Sequence, residues 1–278
     1  MVTCAELLTQ AAPRLAEESA RLDAELILAN TLKVGREALY RDPDRMIDDT
    51  AESAFDEAIT LRAKGVPLAY ILGRTEFWSL ELAVDENVLI PRPETELLVE
   101  LSLHKLASLT HPTCADLGTG SGAVALALAS ERPDCTIIAV EQSAAAITVA
   151  RTNVLRHEAS RVRLVGGDWC QALDGNTFDV IVANPPYVAK AERQRLSAGV
   201  HFEPEAALFA EDSGYAALEK IINDARRCLK PAGVLYLEHG DRQGAGVRRK
   251  LAAYGYTNIE TKRDLNNLER VSSGLHLS

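Results

Sequence analysis

Strands and helices alternate from about residue 113 to the end of the chain, which predicts an α/β domain built on a mostly parallel, doubly wound sheet. Two further observations agree. The glycine-rich turn Asp116-Leu117-Gly118-Thr119-Gly120-Ser121-Gly122 joins the first predicted strand to its helix, where such sheets bind nucleotide-like ligands. The largely apolar run Phe178-Asp179-Val180-Ile181-Val182-Ala183 reads as a buried strand and leads straight into Asn184-Pro185-Pro186-Tyr187.

In chain order, residues 1–73 carry helical patterns without a strand signal and read as a small helical bundle. Ala51, Phe55, Ala58 and Ile59 share one helix face, and Leu22, Leu26 and Ala29 share another, with Gly35 expected to end that second helix. Residues 74–92 read as a hairpin linker: 76–84 is β-like, Asp85-Glu86-Asn87 makes the turn, and Val88-Leu89-Ile90 returns. Residues 93–278 form the α/β domain. Pro91-Arg92-Pro93-Glu94-Thr95-Glu96 opens its first helix, with proline near the first turn and acids at the positive end of the dipole. Strands are then expected at 113–117, 136–140, 162–165, 178–183, 234–237, 257–262 and 271–277. The helices between them are expected at 122–131, 144–156, 215–229 and 242–253.

Composition limits the function. With 278 residues, 47% apolar and 25% charged, the chain is an ordinary soluble globular protein, expected in the cytoplasm and without a membrane partner. A formal net charge of −10 argues against sequence-independent contact with nucleic acid, which needs clustered Lys and Arg. Five scattered cysteines without a Cys-x-x-Cys pair, and six histidines without ligand spacing, suggest neither a disulfide framework nor a metal site.

The glycines let the chain turn sharply and let a ligand approach the main chain. Taken with Ala123, the loop also satisfies G-x-G-x-x-A, and Glu141 lies 19 residues after Gly122, as in a dinucleotide enzyme. At the end of the second strand, Glu141 can accept from both ribose hydroxyls of any adenosine-bearing cofactor. After the third strand, Asp168 can accept from an adenine amino group and Trp169 can wall the ring.

The Asn184–Tyr187 loop separates the cofactor classes. Two prolines hold the backbone extended and remove two donors, so the Asn184 side-chain oxygen and the Pro185 carbonyl can each accept one hydrogen of a planar NH2 group. Tyr187 offers a flat face against that plane. A nicotinamide enzyme has no use for such a cradle, whereas a methyl donor does. S-adenosyl-L-methionine across the first strand ends would aim its methyl group at the held nitrogen.

Over nearly its whole length the chain resembles the protein-(glutamine-N5) methyltransferases that modify translation termination factors. The resemblance rests on Pro67 to Gly73, Glu76-Phe77-Trp78, Ile90 to Glu96, Asp116 to Gly122, Phe202-Glu203-Pro204, Asp212-Ser213-Gly214 and Leu237-Glu238-His239-Gly240. Asn184-Pro185-Pro186-Tyr187 is also shared with DNA enzymes that methylate amino groups. The Ile90–Glu96 segment and the helical N-terminal region are more specific.

The resemblance implies a seven-stranded, Rossmann-like S-adenosylmethionine-dependent methyltransferase domain after a helical domain. It implies as substrate the glutamine of the Gly-Gly-Gln loop in peptide chain release factors. Carried over by position, Gly118, Thr119, Gly120, Ser121, Gly122, Glu141, Trp169 and Asn184 would touch the cofactor, to which the residues themselves add Asp168. Asn184, Pro185, Pro186 and Tyr187 would hold the glutamine, with Asn184, Pro185 and Tyr187 in the catalytic roles. A monomer is expected. One departure occurs in the closing segment, where Asn266 stands in place of the usual glycine and leaves the local turn open. The nearest alternative is an adenine- or cytosine-amino DNA methyltransferase, which would need a basic cleft or a recognition domain.

Overall fold

The computed structural model describes residues 2–15, 19–196 and 198–277. The chain divides into two compact units, one of residues 2–74 with 198–202 and the other of 75–196 with 203–277.

The first unit is helical. Thr3 and Glu6 form a reciprocal capping box that starts Cys4–Ala11. Asp48 caps Asp49–Ala63 through the Ala51 amide at 2.9 Å. Ala20–Leu32, Arg36–Arg41 and Leu68–Leu72 complete the set, around a core containing Ile27, Leu28, Phe55 and Ile59. Three expectations are corrected. The core stripe of Ala20–Leu32 runs through Ala24, Ile27 and Leu28, while Leu22 is exposed and Leu26 half-buried. That helix is apolar on several faces, and its buried face also carries Asp23, whose charge Arg62 neutralises at 2.7 Å. Lys33, not Gly35, takes the left-handed position that ends the helix, and Gly35 instead precedes Arg36–Arg41. A two-residue antiparallel pairing of Val2–Thr3 with Met46–Ile47 interrupts the otherwise helical unit.

The second unit opens with a hairpin of Arg74–Phe77 and Leu80–Ala83, strictly from Thr75 onward within this unit. Its turn is Trp78-Ser79, both at positive φ (53° and 58°), and not Asp85–Asn87. This conformation normally calls for Asn or Gly, so the turn carries no sequence signal. Val88–Ile90 forms no strand.

Seven strands build the sheet: β1 (Thr113–Leu117), β2 (Thr136–Glu141), β3 (Val162–Gly166), β4 (Phe178–Ala183), β5 (Leu229–Glu238), β6 (Thr257–Arg263) and β7 (Glu269–Leu275). Their order is β6-β7-β5-β4-β1-β2-β3. All pairings are parallel except those made by β7, which runs antiparallel to β5 and β6. The central strands are covered on both faces. Ile181 and Ala183 pack with Ile221 and Ile222 of Ala216–Cys228 on one side, while Val180 and Val182 pack with Leu126 and Leu128 of Ala123–Glu131 on the other. Burial of both faces makes these strands read as continuous apolar runs. Among the described residues, no helix is long and apolar enough to cross a membrane.

The register positions the site. Leu117 lies level with Ala183 and with Val140, and Ala183 with Leu237. Gly118, Glu141, Asn184 and Glu238 therefore stand in one row, one residue past that level on four adjacent strands. The strand order reverses between β1 and β4, which opens a crevice at this edge. The closing turn also resolves the departure at Asn266. The left-handed residue is Asn267 (φ 61°), while the Asn266 amide donates to Asp264 Oδ1 at 2.9 Å, so nothing at 266 requires glycine.

Candidate active site

A cavity of about 400 Å³ occupies the crevice, a size that suits a nucleoside-like ligand. Gly118, Thr119, Gly120, Ser121 and Glu141 line one side. Asp168, Trp169, Asn184 and Pro186 line another. Gly122, Pro185 and Tyr187 are not part of its wall.

The glycine loop is fastened from below. The Gly118 and Thr119 amides donate to the Val140 carbonyl at 2.9 and 3.0 Å. Asp116 Oδ2 accepts from Thr119 Oγ1 at 2.6 Å and from the Ala125 amide at 3.2 Å. Burial pushes the Asp116 carboxyl up to about 6, with those two donors opposing and Glu141 adding to the rise. The Thr119 hydroxyl is thus turned inward, away from any ligand. Gly118 (φ 71°) is held to glycine twice, because a Cβ there would also meet the Trp169 ring at 2.8 Å. Gly122 (φ 86°) opens the helix and packs near Ala150, which accounts for its absence from the cavity wall.

Glu141 ties the loop to β2. Its Oε2 accepts from the Gly120 amide at 3.0 Å, and Oε1 accepts from the Gln142 and Ser143 amides at 2.8 and 2.9 Å. Oε2 keeps the larger spare capacity for a ligand hydroxyl. Asp168 pairs through Oδ2 with Lys220, and Gln171 also reaches that oxygen, so Oδ1 is its open acceptor.

At the end of β4, Asn184 Nδ2 donates to Thr95 Oγ1 at 3.1 Å. No donor among the described residues reaches Asn184 Oδ1 or the Pro185 carbonyl. Tyr187 differs from the open wall expected of it. Its ring packs against the core, its hydroxyl donates to Glu238 Oε1 at 3.2 Å, and its carbonyl accepts from Gln243 Nε2 at 3.1 Å. Burial, with the Glu238 charge adding, raises the Tyr187 hydroxyl well above the ordinary phenol range, so it remains a donor.

Sequence reasoning overlooked several wall residues. Val88, Leu89 and Pro91 form part of the cavity, as do Pro204, Ala206 and Ala207. Glu203 joins the two segments: its Oε2 accepts from the Ile90 amide at 3.1 Å and its Oε1 pairs with Arg92 at 2.5 Å, with the carboxylate buried. The signal for them lay in the resemblance, which rests in part on Ile90 to Glu96 and on Phe202-Glu203-Pro204.

Comparison with known proteins places this geometry in a family. The family model described as PrmC N-terminal domain matches residues 6–73, and the one described as methyltransferase small domain matches residues 94–208. The release factor glutamine methyltransferase of Escherichia coli (strain K12) is 42% identical over 261 residues, covering 93% of this chain and 93% of that protein. The protein of the same name from Shewanella oneidensis is 42% identical over 257 residues, covering 92% of this chain and 90% of its own length. The chain belongs to the release factor glutamine methyltransferase family. Its fold is that of the S-adenosylmethionine-dependent methyltransferases. The hMettl16 catalytic domain in complex with MAT2A 3'UTR hairpin 1 aligns with a TM-score of 0.60 at 15% identity, covering 83% of this chain and 84% of that one. A methyltransferase from Pyrococcus furiosus aligns with a TM-score of 0.54 at 19% identity, covering 72% of this chain and 90% of that one.

Family membership makes S-adenosylmethionine the cofactor, and the cavity suits it. An open acceptor remains on Glu141, a second remains on Asp168, and the space beside Gly118 is one that any side chain would fill.

Proposed function

We propose that this chain methylates the side-chain amide nitrogen (N5) of the glutamine in the Gly-Gly-Gln loop of peptide chain release factors. The observation that carries this reading is the pair of adjacent acceptors, Asn184 Oδ1 and the Pro185 carbonyl, with no donor among the described residues on either. Asn184 stands in the row of strand ends that also bears Gly118 and Glu141, and Pro185 follows it directly. The names of relatives that cover nearly the whole chain supply the substrate class.

S-adenosylmethionine, when bound, supplies an electrophilic methyl carbon on a positively charged sulfur. Glu141 Oε2 would take a ribose hydroxyl, Asp168 Oδ1 would take the adenine amino group, and Trp169 would wall the ring. An amide nitrogen is a weak nucleophile because its lone pair is shared with the carbonyl. Asn184 and Pro185 each accept one of its hydrogens, which turns the lone pair toward the cavity and stabilises the charge that grows on nitrogen. Holding the reacting atoms in line supplies most of the remaining assistance. The nitrogen becomes strongly acidic as it is methylated and can release its proton late, so no general base is assigned. Tyr187, fastened at its hydroxyl and carbonyl, keeps the loop in place. The protein acts as a cytoplasmic monomer on a protein substrate, and its net charge of −10 supports the absence of direct nucleic-acid contact.

Substitution of Asn184 tests the role given to its oxygen. Asn184→Ala should lower turnover roughly 10²–10³-fold, about 2.7–4 kcal/mol, with little change in cofactor affinity. Asn184→Asp still accepts and should retain much more activity than Ala. Equal losses for the two variants, or near-normal turnover with Ala, would make Asn184 a structural turn residue.

A further inference from the structure

Beside Asn184, reaching the cavity wall at Thr95, lies a buried polar cluster that the reaction leaves idle. Thr95, at the start of the Glu96–Leu106 helix, is 4% exposed, and Glu238, at the end of β5, is 1% exposed. Thr95 Oγ1 accepts from Asn184 Nδ2, and Tyr187 donates to Glu238 Oε1. Glu238 Oε2 is buried without a hydrogen-bond partner among the described residues, although the Thr95 side chain favours the ionised form of Glu238. Thus Glu238 carries an orphaned carboxylate oxygen in the same buried cluster as Thr95, whose hydroxyl hydrogen has no acceptor among the described residues.

We propose that Thr95 and Glu238 are positioning residues that decide which end of the Asn184 side-chain amide faces the substrate. This rests on the reading that Asn184 accepts from the substrate NH2 group. A threonine hydroxyl has one hydrogen to give. When Glu238 is ionised it attracts that hydrogen, and Thr95 Oγ1 can then only accept from Asn184. The Asn184 NH2 end is thereby turned inward and Oδ1 is left facing the cavity. When Glu238 is protonated, its own hydrogen can go to Thr95, whose hydroxyl is released toward Asn184. The opposite amide orientation is then favoured, which points NH2 at NH2.

The groups that act on Glu238 are Thr95 and Glu94 from the helix start, Tyr187 from the β4 loop and Arg270 from β7. Burial pushes the Glu238 carboxyl up to about 7; Thr95, Arg270 and Tyr187 oppose the rise and Glu94 adds to it. The switch therefore lies within the working range of pH.

The test is the pH dependence of kcat at saturating S-adenosylmethionine and release factor, for the wild type, Thr95→Val, Thr95→Ser and Glu238→Gln. Calorimetric binding of S-adenosylmethionine serves as the check on folding. Wild-type kcat should fall about tenfold per unit below pH ~7, and Glu238→Gln should lack that acid limb. Thr95→Val should lose at least about tenfold in kcat with cofactor affinity nearly unchanged, and Thr95→Ser should recover most of the loss. An unaltered acid limb in Glu238→Gln overturns the proposal, as does normal turnover of Thr95→Val when Asn184→Ala is impaired. Normal turnover of both Thr95→Val and Asn184→Ala would instead remove the role given to Asn184 itself. Should Thr95→Val fail to bind cofactor, the Glu238→Gln and Thr95→Ser profiles decide alone.

Discussion

Gly214 supports the substrate loop from behind. It sits at φ 88°, and a Cβ there would collide with the Tyr187 carbonyl oxygen, while Gln243 Nε2 donates to both Tyr187 and Gly214 carbonyls. Gly214→Ala must therefore move the loop or strain the backbone, at a cost of about 1–3 kcal/mol. Turnover should drop at least tenfold while cofactor binding stays within about threefold, and an unimpaired variant would show that the loop tolerates displacement. Glu141→Ala should act on the other function. It removes an ionised acceptor worth ~1.5–3 kcal/mol and frees three backbone amides, so the S-adenosylmethionine Kd should rise about 10–100-fold by calorimetry. An unchanged Kd would take Glu141 out of the site. At this scale the glycine loop, Glu141 and Asn184 were legible because each follows an apolar strand directly. Thr95, Glu203 and Gly214 acquire meaning only through partners about 30 to 110 residues away in sequence, which no local pattern encodes.

The helix Ala144–Arg156 does more than cover the sheet. Its Asn153, fully buried, donates to the Ala83 carbonyl at 3.0 Å and the Ser121 carbonyl at 2.8 Å, and accepts from the Ala83 amide at 2.7 Å. One side chain thereby joins the hairpin to the glycine loop. Asn153→Ala leaves three backbone groups without partners and should destabilise the fold by about 2–3 kcal/mol in denaturant titration, with a weaker cofactor site. A loss under about 0.5 kcal/mol, the usual range of surface substitutions, would mean that water replaces the clamp fully. The central strands of the sheet were readable from the sequence because burial on both faces yields unbroken apolar runs. The hairpin turn was misplaced because Trp78 and Ser79 are held at positive φ by their surroundings: the Trp78 amide donates to Glu96 Oε1 and its ring nitrogen to Glu131, each at 2.9 Å. Tertiary contacts overrode turn propensity there.

At the scale of the molecule, stability should carry the mark of two buried acids. The folded chain holds the Glu238 proton up to about 7 and the Asp116 proton up to about 6, whereas the unfolded chain releases them near the ordinary values of 4.5 and 3.8. Within those windows the folded state binds more protons, so unfolding free energy falls as pH rises. Glu238→Gln removes its share of that slope and should raise stability at pH ~8 by a few kcal/mol relative to the wild type, with a smaller gain at pH ~5. Parallel melting curves for the two proteins at both pH values would refute this. The helical unit is the part whose role the sequence conveyed least, since its helices carry no chemistry. Because the cavity wall begins at Asn87 and lies wholly within the second unit, the helical unit is expected to serve recognition of the whole release factor. The most direct measurement of the central claim supplies methyl-labelled S-adenosylmethionine with a purified release factor and, separately, with DNA, and locates the label by tandem mass spectrometry. The label should appear on the side-chain amide nitrogen of the Gly-Gly-Gln glutamine and nowhere on the DNA. Label on a base amino group, or on a release-factor residue other than that glutamine, would contradict the account.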